Sequence, residues 1–178
     1  MSISLHDAVV KSYLQTMNAV SALVDKAQAH CAENGLSDAE LTEARLADDM
    51  WPFAKQVFEC GHHSARAILA VRAGEFGPEL QSVPSDFAAL RAEVAGAIAV
   101  IKAVEPGELD AIAQRDMLFV FRETRLEFTV ADFLLSFSLP NFYFHASMAY
   151  AIMRSQGIAI GKRDYMGRPR MKPAAVNP

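Results

Sequence analysis

Apolar residues recur at steps of three and four from Leu5 through Val9, Tyr13, Met17, Val20, Val24 and Ala27, the spacing of one face of a long amphipathic helix. Ser4 and Asp7 mark its start as a capping pair, and Asn34-Gly35 supplies a left-handed stop, so the pattern predicts a first helix over about 5–33. Ser37-Asp38-Ala39-Glu40 is a second capping box, but the periodicity breaks soon after it and predicts only a short helical turn. A second long helix is expected from Asp48-Asp49 to Gly74, with Pro52 in its first turn and a core stripe of Met50, Phe53, Val57, Gly61, Ala65 and Ile68. The linker GEFGPELQSVP follows, and Ser85 or Asp86 caps a third helix carrying Phe87, Leu90, Val94, Ile98, Ile101 and Val104 up to Pro106-Gly107.

The period then changes from helical to short β-prone runs. Met117–Phe121 and Arg125–Thr129 flank Arg122-Glu123-Thr124 and predict a small hairpin, held by packing because its turn lacks Asn-Gly or Asp-Gly. Thr129 and Asp132 cap a fourth helix running to about Arg154 and stopping at Gly157. Four helices and one hairpin predict an all-α fold, a four-helix bundle forming one domain over residues 1–167, with a flexible tail over 168–178.

Composition narrows the function classes. The chain has 178 residues, 17 basic and 21 acidic, with a net charge of −4, which leaves no broad basic face for nucleic acid. Cys31 and Cys60 stand far apart with no CxxC, so neither a disulfide framework nor a cysteine-rich zinc site is expected, and a reducing cytoplasm is the expected location. The opening residues lack the basic and apolar regions of a signal peptide. Residues 133–153 carry no formal charge over a length that would span a bilayer, but Ser136, Ser138, Pro140, Asn141, His145 and Ser147 fit a buried helix of a soluble bundle better, so no membrane partner is expected.

Candidate chemistry lies on the second and fourth helices. Asn141 and His145 are four residues apart, on one helical face, and can converge on a ligand or metal; Pro140 beside them removes an amide and predicts a kink that shapes a pocket. The plainer alternative is a core histidine hydrogen-bonded to a tyrosine or a carbonyl. His62 and His63 are neighbours, about 100° apart on an α-helix, so one of them, His62, is expected to face inward, with Glu59 on its side as ligand or orienting partner. Both also read as residues of a solvent-facing surface. Cys60, three positions before His63, is a weaker candidate nucleophile. Lys162, Arg163, Arg168, Arg170 and Lys172 gather near the end, either for an acidic partner or as a solvated tail. Phe133, Phe137, Phe142, Tyr143 and Phe144 supply core aromatics with some excess for a dimer surface.

The segment LPNFYFHASMAYAIMRSQGIAIGKRDYMG, residues 139–167, together with RLADDMWPFAKQV at 45–57, resembles a bacterial family described only as a domain of unknown function within the DinB/YfiT-like superfamily. The resemblance covers nearly the whole chain. It implies an up-down-down-up four-helix bundle, often dimeric, so a homodimer is an expected partner, and the 11 phenylalanines of the chain add a small apolar ligand as another. It also implies a divalent metal, zinc or nickel, held by one histidine of the second helix and an HxxxH pair of the fourth, and in some members thiol transfer or isomerisation. His145 takes the place of the second histidine of that pair and Asn141 the place of the first, while Glu59 stands nearest the helix-two position and His62 one turn further on. The expectation is therefore a degenerate metal site around His145, Asn141, His62 and Glu59, in a pocket between the second and fourth helices. A metal-dependent transferase, isomerase or hydrolase is the alternative to a binding function.

Overall fold

A computed structural model of the chain describes residues 3–79 and 82–172. Helix α1 spans residues 6–34: a widened π turn, His6–Val10, runs into the α-helix Lys11–Asn34. The Ser4 hydroxyl accepts the Asp7 amide at its start, and Gly35 ends it at φ 66°, a left-handed conformation that costs glycine least. The short α2, Asp38–Thr42, carries the expected capping box, with the Ser37 amide donating to Glu40 Oε2 at 2.8 Å. Helix α3 covers residues 53–73 and is built from Phe53–Gly61, a π turn at His62–Arg66, and Ala67–Ala73. It begins at Phe53, five residues later than the Asp48-Asp49 start read from the sequence, because Pro52 is extended at φ −72°, ψ 167° and acts as the N-cap.

After α3 the chain enters a strand that the linker reading missed. β1, Glu75–Phe76, runs parallel to β2, Asp116–Phe121, pairing Glu75 with Leu118 and Phe76 with Phe119. The expected hairpin is present as β2 and β3, Thr124–Thr129, in antiparallel register from Asp116↔Thr129 to Phe121↔Thr124. Its two-residue turn places Arg122 at φ 54° without the asparagine or glycine that usually takes such a position. The hairpin therefore belongs to a three-stranded sheet ordered β1-β2-β3, and the fold is mostly helical with a small sheet, not purely helical. Gly77 is required where β1 leaves this sheet: a Cβ there would lie 2.7 Å from the Val120 carbonyl oxygen.

Helix α4, Phe87–Lys102, is capped by Asp86, whose Oδ1 accepts the Ala89 amide at 2.8 Å. A short α5, Glu108–Ala111, follows Gly107. Helix α6 covers residues 130–155, opening at the Thr129 cap, widening into a π stretch at Phe133–Ser138 and continuing as Leu139–Ser155. The widened stretch ends two residues before Pro140, which has no amide to give back to the preceding turn. Helices α1, α3, α4 and α6 pack around one core in which Tyr13, Phe53, Phe87, Phe133 and Phe142 are fully buried.

A final helix, α7 at Lys162–Met166, lies against α1 and was not legible in the sequence. Lys26 pairs with Asp164 at 2.5 Å, Gln15 donates to the Met166 carbonyl, and Arg170 donates to the Asp7 carbonyl at 2.9 Å. Part of the basic cluster near the C-terminus is thus folded back on α1; residues 173–178 of the expected tail lie outside the described residues. Among the described residues no helix is long and apolar enough to cross a membrane, and the uncharged stretch of α6 buries one face, with Phe133, Leu134, Phe142, Ala146, Ala149 and Met153 in the core, while Leu135 and Phe144 are exposed.

Candidate functional site

A pocket of about 630 Å³ opens between α3 and α6, with Phe76, Phe119 and Phe121 of the sheet forming one wall. Its polar lining comes from Lys55, Gln56, Glu59, His62 and His63 on α3 and from Asn141 and His145 on α6. The four residues singled out from sequence, Glu59, His62, Asn141 and His145, all line it. His63 joins them, against the expectation that only one of the neighbouring histidines turns inward. The physical reason is the π turn at His62–Arg66: a wider turn narrows the angle between successive side chains, and both imidazoles end up buried, with ring centroids 5.2 Å apart. Neither is a solvent-facing histidine.

Each buried polar group of the site has a definable state. Gln56 Nε2 donates to the Trp51 carbonyl at 3.1 Å, which turns Gln56 Oε1 toward His145 Nδ1 at 2.8 Å. An amide oxygen only accepts, so Nδ1 carries the proton and His145 Nε2 is left as the acceptor. The His145 ring is stacked between Trp51 and His63, with centroids 5.6 and 5.5 Å away and planes within 15° of parallel. Asn141 does not reach for His145; its Nδ2 donates to the Phe137 carbonyl at 2.7 Å within α6. The reading of His145 as bonded to a tyrosine or a main-chain carbonyl is replaced by a glutamine clamp from the facing helix.

Burial dominates the titration of the histidines. It lowers His63 to about 3, with the charges of His62, His145 and Lys55 acting in the same direction. It lowers His145 to about 4, opposed by Glu59, and lowers His62 as well. At neutral pH all three are uncharged, so the 3.7 Å approach of His63 Nε2 to Glu59 Oε2 joins a carboxylate to a neutral imidazole and is not an ion pair. Glu59, only 4% exposed, instead pairs with Lys55 through Oε1 at 2.6 Å. His62 Nδ1 and His63 Nδ1 are buried and have no hydrogen-bond partner. Two buried nitrogens without a partner on adjacent residues are uncommon in a folded protein.

Ligand atoms of Glu59, His62 and His63 all lie within 4.8 Å of one another. One carboxylate and two neutral imidazoles form a donor set suited to a borderline divalent cation such as zinc or nickel. The cluster comes from a single helix, whereas the sequence resemblance implied a site divided between two. Cys60 contributes nothing to it: the thiol donates to the Gln56 carbonyl inside the core, and burial pushes its pKa up, the reverse of an activated nucleophile.

His63, Lys55, Gln56 and Trp51 are the site residues that sequence reasoning missed. Lys55 and Glu59 stand four apart on one helix, a spacing that pairs opposite charges and was there to be read. Gln56 and Trp51 carried no such signal, since their partners lie on another helix and on the irregular segment before α3.

The arrangement of helices and sheet is the fold of solved DinB-family proteins. A DinB family member from Shewanella denitrificans is 23% identical, with 95% of each chain covered and a TM-score of 0.79. A DinB-like protein from Bacillus subtilis is 14% identical over 90% of this chain and 99% of that one, with a TM-score of 0.55. Residues 5–166 match the model of the family described as Domain of unknown function (DUF1993), and the chain belongs to that family. No curated protein matches it.

Proposed function

We propose that the pocket binds a small, largely apolar molecule whose polar end meets a divalent cation held by Glu59, His62 and His63. The observation that carries this reading is the convergence of those three ligand atoms within 4.8 Å, on residues that include two buried nitrogens without partners. The apolar character of the ligand follows from the walls, where Trp51, Phe76, Phe119, Phe137 and Phe144 face the same space. A divalent ion at this position would supply Lewis acidity and lower the pKa of a bound water or thiol. His145, neutral with Nε2 free to accept, is placed by Gln56 and its stacked neighbours to take a proton from a ligand in the pocket. Asn141 offers an amide oxygen for orienting that ligand. This supports a reaction of the hydrolase or thiol-transfer type, and we extend the proposal to an up-down-down-up arrangement of α1, α3, α4 and α6 and to a homodimer.

Titration with zinc by calorimetry tests the reading. Near-stoichiometric binding that is lost in Glu59→Gln and in His63→Ala is expected. Zinc that does not bind the wild-type protein, or that binds both variants unchanged, would overturn it. A metal-free ligand pocket is the second reading, favoured by one observation: Lys55 already neutralises Glu59.

A further inference from the structure

Lys55 occupies the cation side of the carboxylate on which the proposed cluster depends. Its Nζ lies 2.6 Å from Glu59 Oε1, one helical turn away on α3. The same ammonium sits 5.1 Å from the centroid of the Trp51 ring and 4.9 Å from that of Phe58. The Lys55 side chain is 18% exposed and that of Glu59 6%, so the contact is shielded from water and from salt in a way that a surface pair is not. Two ring contacts and one charged contact hold the ammonium in a defined place. The two oxygens of Glu59 are thereby divided: Oε1 takes Lys55, and Oε2 faces His63 Nε2.

This arrangement solves one problem and creates another. A carboxylate buried to this degree needs a counter-charge, and Lys55 provides one without any bound ion. A divalent cation at Glu59, His62 and His63 would then face a positive charge already seated on its only anionic ligand in the cluster.

We propose that Lys55 is a tethered competitor for the cation site, a resident ammonium that balances Glu59 when no ion is bound and must withdraw or share the carboxylate when one is. The inference rests on the metal reading above and adds a residue that opposes binding rather than serving it. It also predicts the sign of a substitution that a list of lining residues would get wrong: removing this polar side chain from the pocket strengthens cation binding.

The test is zinc titration by calorimetry of the wild type, Lys55→Gln, Lys55→Met and the charge-preserving Lys55→Arg, with folding followed by thermal melting. Trp51 is the single tryptophan of the chain, so its emission reports the ring beneath Lys55 during the same titration. Lys55→Gln and Lys55→Met are expected to bind zinc about tenfold more tightly or better, the change expected if ~1.4 kcal/mol of opposition is removed. Lys55→Arg should keep roughly wild-type affinity. Zinc should shift Trp51 emission in the wild type and leave it nearly unmoved in Lys55→Gln. If Lys55→Met does not fold, the glutamine variant and the wild-type emission decide. Equal or weaker binding by Lys55→Gln, with Glu59→Gln still losing the ion, would overturn the inference and leave the metal reading standing. No binding by the wild type or any Lys55 variant would overturn both.

Discussion

The Ser138 hydroxyl donates to the main-chain carbonyl of His63 at 2.7 Å, across 75 positions of sequence, and joins the two widened turns of α3 and α6 to each other. Tyr13 completes the junction from α1, its phenol 2.8 Å from Ser138 Oγ. All three groups are buried, and burial holds the Tyr13 phenol far above its ordinary range, so it stays protonated as a hydrogen-bonding group. The junction fixes the backbone of the residue that the pocket uses.

Ser138→Ala leaves the His63 carbonyl and the Tyr13 hydroxyl without their shared partner. An unsatisfied buried polar group costs ~1–3 kcal/mol, and a domain of this size loses roughly 2–4 °C of melting temperature per kcal/mol. A fall of several degrees in thermal melting is expected. Unchanged stability would show that the turn is held by α3 alone.

Gln56→Leu removes both ends of the clamp on His145. The imidazole then loses the acceptor that fixes its proton on Nδ1, and nitrogen NMR of the ring should show a shift toward the other tautomer. Stability should fall by ~1–3 kcal/mol as Nδ1 and the Trp51 carbonyl lose their partner. A ring spectrum identical to that of the wild type would contradict the clamp.

Stability should depend on pH in a window set by the histidines. His63 and His145 titrate at 6.5 when unfolded and at about 3 and about 4 in the fold, so between these values the unfolded chain binds more protons. Folding stability should therefore be full above about pH 6.5 and decline as pH falls toward 4. Urea denaturation at a series of pH values checks this, and His63→Gln should flatten the slope. A profile level from pH 7 to 4 would contradict the neutral, buried state of the rings.

Cys31 and Cys60 are both buried, and burial raises both thiol pKa values. Neither should react with a disulfide reagent in the native protein at neutral pH, and both should react after denaturation. Rapid labelling of Cys60 in the folded chain would restore it as a candidate nucleophile.

The helices and the hairpin were legible because their signals are local. Ser4, Thr129 and Asp86 sit where capping chemistry places them, and the apolar stripe from Leu5 to Ala27 faces the core. What failed depended on distant partners. Glu75-Phe76 is too short to show a strand period and becomes a strand only by pairing with Leu118 and Phe119. The inward turn of His63 depends on a π turn, for which a helical projection at 100° per residue has no place. Asn141 and His145 do line the pocket as their spacing suggested, but their hydrogen bonds go to Phe137 and Gln56, and the metal-competent cluster forms on α3 without them.

Anomalous X-ray scattering at the zinc edge, from crystals of the wild-type protein soaked in zinc, tests the central claim most directly. A single peak within bonding distance of Glu59, His62 and His63 is predicted. A peak at His145 and Asn141 instead, or none inside the pocket, would contradict the assignment of the cation to the α3 cluster.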